Sequence, residues 1–196
     1  MKKLSHLGIL LAAPLAFTSL VPAFAPAQQT GQTQSQPDDK LAQIVRNATA
    51  QYQNVANATH AGYGPVLGCV SGSDHGAMGV HYVNGDLISG KTLLGSTQQL
   101  DPTQPQALIY EPQENGQMQL VAVEFIILAS ALPANATPQV EGHLMLYVDG
   151  PTAQNPSAPA NRYGLPAFYE LHVWAWRDNP QGSFVDWNDH VSCAAQ

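Results

Sequence analysis

Basic charge is scarce in this chain. Seven Lys and Arg stand against fourteen Asp and Glu in 196 residues, a formal net charge of −7. Nucleic acid and anionic lipid headgroups both recruit the opposite balance, which argues against either as a partner. Cysteine is nearly missing as well, with Cys69 and Cys193 the sole pair. Neither has a second ligand at metal-site spacing, so a two-cysteine metal site is the weaker reading of them. The run from Leu7 to Leu20 is apolar but too short to span a bilayer, so no transmembrane span is expected. The motifs G-x-S-x-G, the P-loop and H-E-x-x-H do not occur, which removes the common hydrolase and nucleotide-binding signatures.

The beginning of the chain reads as a targeting segment. Met1-Lys2-Lys3 is a short basic start, the apolar run follows, and Ala25-Pro26-Ala27 supplies small residues for cleavage. Together these predict a Sec-type signal peptide over 1–27, with a retained anchor as the alternative, and export to the periplasm or cell envelope. Removing Lys2 and Lys3 leaves five basic and fourteen acidic side chains, net −9. No lipobox cysteine lies near the cut. Residues 28–37 are Gln, Thr and Ser with almost nothing apolar, the composition of a flexible linker. The remaining length, 38–196, suits a single domain. In an exported chain the two cysteines are expected to pair and tie the start of that domain to its end.

Helical periodicity is confined to one stretch. Leu41, Ile44, Ala48, Tyr52 and Val55 recur at three or four residues, predicting a helix from Asp38 to about His60 that stops near Gly62. Beyond it the pattern is that of strands. Val80 to Val83 runs into Asn84-Gly85, a type I′ hairpin signal. ALIYEP, the turn QENG and QMQLVAVEFIILA read as a second hairpin; EGHLMLYVDG and AFYELHVWAW read as further strands, between Pro- and Asn-rich loops. The expected fold is mainly β, an antiparallel barrel or sandwich-like domain with one N-terminal flanking helix.

Within these strands stand three histidines, His81, His143 and His172. Alternation places Met118, Leu120, Ala122, Glu124, Ile126 and Leu128 on one face, so Glu124 sits in an apolar row. An ionised carboxylate there costs several kcal/mol unless it is paired or bound to a metal; Arg162 is the candidate partner if no metal is held. His172 shares a face with Phe168, Glu170, Trp174 and Trp176, and His143 with Glu141, Met145 and Tyr147. The candidate metal ligands are therefore His81, His143, His172 and Glu124. His75, Glu170 and Met145 are candidates for an extra ligand or a supporting contact. Imidazoles without thiolates suit copper, zinc or iron, and copper leads the intrinsic affinity order, with zinc and iron behind it. The competing reading of each histidine is a hydrogen-bonded core residue, and of Trp174, Trp176 and Trp187 core packing rather than a ligand groove.

Three stretches carry a resemblance: GCVSGSDHGAMGVHYVNGDL, QALIYEPQENGQMQLVAVEFI and NRYGLPAFYELHVWAWRDNPQGSFVDWNDHVSC. In these the chain resembles a family of small secreted bacterial proteins whose members are mostly uncharacterised, over nearly all of the domain. It is also similar to copper-only superoxide dismutases of the bacterial cell envelope. The resemblance implies that His81, Glu124, His143 and His172 lie in recurring segments and His75 in a variable loop. It implies copper as cofactor and superoxide as substrate. The H-x-H pair and the glycine-rich, arginine-bearing loop of ordinary copper/zinc dismutases are missing, so such activity would need a different site. Two other readings stand beside it: a metal-free binding or structural module of the cell envelope, with a protein partner there or a second copy of itself, and a cupin-like iron or manganese enzyme.

Overall fold

The computed structural model describes residues 39–95 and 97–196. The signal-peptide and linker segments, and Asp38, lie outside the described residues. Helix α1 (Lys40–Thr49) starts at Asp39, whose Oδ1 accepts from the N–H groups of Leu41 (2.8 Å) and Ala42 (3.4 Å). These are donors that the first turn leaves without helical partners. Its buried stripe is Leu41, Ala42, Val45 and Thr49. The single long helix expected to His60 is instead broken. A 3-10 turn over Ala50–Gln53 follows α1, and Asn54 restarts the chain as α2 (Val55–His60) by accepting from Ala56 N–H at 3.0 Å.

The strands are β1 (Gly64–Pro65), β2 (Val70–Ser71), β3 (Ala77–Val83), β4 (Ala107–Pro112), β5 (Met118–Leu128), β6 (Gln139–Val140), β7 (His143–Leu144), β8 (Leu146–Val148) and β9 (Phe168–Val173). Seven form one antiparallel sheet in the order β1-β3-β4-β5-β9-β8, with β2 beside β1 along β3. The sheet is open: β1 and β2 stand at one edge and β8 at the other. Of the two expected forms, barrel or sandwich-like, the closed barrel is not formed. The mainly antiparallel β architecture with an N-terminal helical flank is.

One expected turn is not formed, and one that was not expected is. Asn84-Gly85 does not make a hairpin. Asn84 Oδ1 accepts from Asp86 N–H at 3.1 Å and caps a one-turn helix, α3 (Gly85–Ile88). A long connection then leads to β4. The two-residue turn with positive φ at both positions is at Glu141 (47°) and Gly142 (86°), joining β6 to β7. That is the geometry of tight hairpins. It splits the expected EGHLMLYVDG strand into a short separate ribbon and β8. The QENG turn closes as read: Gln113 N–H donates to Gln117 O at 2.8 Å between β4 and β5.

Each sheet face has its own core. Leu41, Val45 and Ala58 of the helices pack on Leu108, Tyr110, Val123, Phe125, Ile127, Leu171 and Val173. The opposite face carries Ile109, Ala122 and Trp174 in one cluster and Ala107, Ile126 and Phe168 in another. The expected single row along β5 is interrupted by a bulge, because Ile109 pairs with Ala122 while Tyr110 pairs with Leu120. The extra residue, Val121, sends Leu120 to the helix face and Ala122 and Glu124 to the other. Its carbonyl accepts from Trp176 and Arg177 N–H, both at 3.1 Å.

Cys69 and Cys193 form the expected disulfide, spanning 124 residues. It fastens the C-terminal segment over β3, where a Cβ added at Gly76 (φ 67°) would lie 2.1 Å from Asn188 O. Opening a loop of this length releases about 4–5 kcal/mol of unfolded-state restraint in the chain-entropy model. Replacing both cysteines with serine is therefore expected to lower the unfolding free energy by that order, measured by urea titration. A loss below about 1 kcal/mol would contradict it.

Candidate metal centre

Three sequence-predicted residues converge on the sheet face away from the helices. Glu124 on β5 is the direct cross-strand partner of His172 on β9. On its other side Glu124 faces Ala107 of β4, which in turn faces Val83 of β3. His81 lies two residues before Val83, on the same face. Ala107 has no side chain beyond Cβ, which leaves His81 room to reach across β4. Gly79 makes that stretch of β3 hug its neighbour: with φ at 107°, an added Cβ would sit 2.7 Å from Tyr110 O.

The result is a buried triad. His81, Glu124 and His172 are essentially sealed from solvent, and one ligand atom from each lies within 4.8 Å of the others. His81 Nε2 is 3.5 Å from Glu124 Oε2. The two imidazoles meet edge to face at 5.9 Å. Neither ring nitrogen of His81 has a well-aligned hydrogen-bond partner, and the same holds for His172 Nε2. His172 Nδ1 lies 3.3 Å from Asp186 Oδ1, near enough for an electrostatic contact but poorly aligned for a hydrogen bond.

Glu124 is held from the loop that precedes β9. Tyr163 donates its hydroxyl to Glu124 Oε2 at 2.5 Å, and Arg162 Nη2 lies 3.5 Å from Oε1. Arg162 also reaches Glu170 Oε2 at 2.5 Å. One guanidinium faces two carboxylates, and the pair divides the protonation. Burial pushes Glu124 upward, but the electrostatic pull of the His172 and His81 rings, the hydrogen bond with Glu170 and the Arg162 charge outweigh it and hold its pKa below the usual carboxylate range. Glu170 goes the other way. Burial, then its hydrogen bond to Glu124 and the charge on it, raise its pKa well above the usual carboxylate range, so it holds a proton at neutral pH. Burial and the neighbouring Glu124 charge keep the Tyr163 phenol protonated far into alkali. Contact with His172, working against burial, lowers Asp186.

His81 is neutral for a comparable reason. Burial, chiefly, with the charges of His172 and Arg162, lowers it from 6.5 to about 4, against the upward pull of Glu124 and the Gly79 backbone. A neutral imidazole with an unshared lone pair is the form that ligates a metal.

The other predicted residues lie elsewhere. His143 stands on the β6–β7 ribbon, stacked on Phe184 at 4.1 Å between ring centroids, with Nε2 3.3 Å from Asp39 Oδ2. The Glu141–Gly142 turn carries it away from the triad, so it is not the third imidazole. Met145 is buried in the helix-side core, and His75 is exposed on its loop. Glu170 is beside the triad, where it also belongs to a second group with His172 and Asp186. Trp174 donates to Val185 O at 2.6 Å, while Trp176, expected on the same face, donates to Thr49 Oγ1 at 3.0 Å on the helix side. They line no common groove. Tyr163 and Asp186 were missed: both sit in irregular segments where no periodicity marks direction. Arg162 meets Glu124 as anticipated.

Compared with family models, curated proteins and solved structures, the chain matches none.

In metal-free protein, His81 makes stability pH-dependent. Between its folded value near 4 and its unfolded value of 6.5, the unfolded chain binds a proton that the folded one refuses, so stability falls as pH falls through that window. The full effect is about 3 kcal/mol. Glu170, protonated in the fold, contributes an opposite slope above its ordinary value, so wild type must be compared with His81→Gln, which keeps Glu170. Urea unfolding at pH 4.5 and 7 is expected to show the wild type losing more stability on acidification than the variant. Equal losses would contradict the assignment.

Proposed function

We propose that this is an exported metalloprotein, holding one first-row transition metal on His81, His172 and Glu124 and acting as an oxidoreductase on a small oxygen species, superoxide first. The observation that carries the reading is the orphaned nitrogens of His81 beside an ionised, buried carboxylate. Unpaired buried polar atoms cost roughly 1–3 kcal/mol each, and ligation would remove that cost for one nitrogen of His81 and one of His172. Asp186 against His172 Nδ1 supports the same reading, since a ligating imidazole commonly turns its other nitrogen toward a carboxylate that fixes its orientation.

The donor set has narrowed from three imidazoles and a carboxylate to two imidazoles, His81 and His172, and the same carboxylate, Glu124. That set serves iron(II) and zinc as well as copper. Copper keeps first place on intrinsic affinity and on exposure of an exported protein to environmental metal; iron is the alternative. The disulfide agrees with export, and no described helix is long and apolar enough to cross a membrane. Bound copper would supply the one-electron couple that dismutation requires. The protein would supply the rest. A fully buried triad admits only small species. Arg162, with about a quarter of its side chain exposed, links the surface to Glu124, offering a local positive charge to an anion in an otherwise acidic protein. Tyr163 fixes Glu124 by a hydrogen bond to Oε2, and the protonated carboxyl of Glu170 beside it is the proton donor of the site.

A second reading has its own support. Tyr163 and Arg162 already satisfy Glu124, so the group would also serve as the polar core of a metal-free envelope module.

Elemental analysis of protein expressed with copper or iron separates the two. One equivalent of metal is expected in wild type and in His143→Ala, with at least a 100-fold loss of affinity in His81→Ala, His172→Ala and Glu124→Ala. Asp186→Asn is expected to weaken binding by about 10–100-fold. Dismutation activity should track metal content; wild-type protein without stoichiometric metal, or activity that survives loss of both imidazoles, would overturn the reading.

A further inference from the structure

Beside the triad, on the same sheet face, lies a cavity of about 220 Å³ lined by Val66, Val83, Gly85, Ile88, Ile126, Tyr163 and Leu165. Two strands place it there. Val83 follows His81 by two residues on β3, and Ile126 follows Glu124 by two on β5, so the residues that wall the cavity continue the rows that carry the ligands. Tyr163 is shared: its hydroxyl holds Glu124 and its ring stands edge-on to His81 at 5.5 Å. The remaining side chains of the wall are aliphatic, and Val66, about half exposed, forms the rim.

We infer that this cavity binds a small, uncharged, apolar molecule next to the centre. The lining contains no charged side chain, so an ion would lose its hydration without compensation. The volume falls below the roughly 300–1,000 Å³ of sites for drug-sized ligands, which limits the occupant to a single ring or a short alkyl chain. The much larger groove of about 780 Å³ at Ala129–Asn135 and Pro151–Pro156 lies away from the triad and contains no titratable group except Tyr169. The cavity's occupancy is independent of metal. Its meaning rests on the metal-centre reading, since an apolar occupant against the Tyr163 ring would act on the centre through the residue whose hydroxyl holds Glu124.

Toluene is the probe, titrated into metal-free and metal-loaded protein and followed by methyl NMR. Saturable shifts confined to Val66, Val83, Ile88, Ile126 and Leu165 are expected in both. Val66→Trp, at the exposed rim where folding is least disturbed, should weaken binding at least tenfold, and Leu165→Ala should keep or improve it. No saturable shift, shifts at the larger groove instead, or unchanged affinity in Val66→Trp would overturn the inference. Binding without metal content would leave the cavity standing and remove only its link to redox chemistry.

Discussion

Glu124 is a negative charge placed in the middle of a sheet face with no access to water, and the arrangement around it follows from that. Taking an ionised carboxylate out of water costs several kcal/mol before compensation. Tyr163 and Arg162 supply part of it from one loop, and two imidazoles stand close enough to add more through a shared ion. Arg162 cannot neutralise Glu170 as well, so Glu170 keeps a proton. The otherwise irregular loop before β9 thereby acquires a fixed position, held at Glu124 and Glu170 by adjacent residues.

The fold prepares this arrangement through pairing register. Glu124 and His172 are direct partners across β5 and β9, so their side chains must lie together. His81 joins them because the residue between is alanine. The bulge at Val121 matters equally: without it, Leu120 and Glu124 would share a face, and the helix-side core would lose a leucine to the polar side. The disulfide and the Ala77–Asn188 bridge then close the C-terminal segment over the same face, bringing Asp186 to His172.

What the amino-acid pattern revealed, and what it hid, follows from the same geometry. Alternation read correctly wherever a strand is regular, which is why His81 and His172 were assigned to a common kind of position. It failed at His143, because Glu141 adopts a positive φ that few non-glycine residues take, and the strand turns there. It failed in part along β5, where a bulge leaves no compositional trace. Asn84-Gly85 satisfied the chemistry of a tight hairpin, yet Asn84 uses its side chain to cap a helical turn, a competing role for the same residue type. Tyr163 and Asp186 come from segments without periodicity, and their direction is set by the charge they meet rather than by local sequence.

The central claim is that His81, His172 and Glu124 share one metal ion. Anomalous scattering from crystals of the protein loaded with copper tests it most directly. A single strong peak is expected about 2.0–2.2 Å from one nitrogen of His81, one nitrogen of His172 and one oxygen of Glu124. A map without a peak among these three residues, or with its only peak at His143 and Asp39, would contradict it.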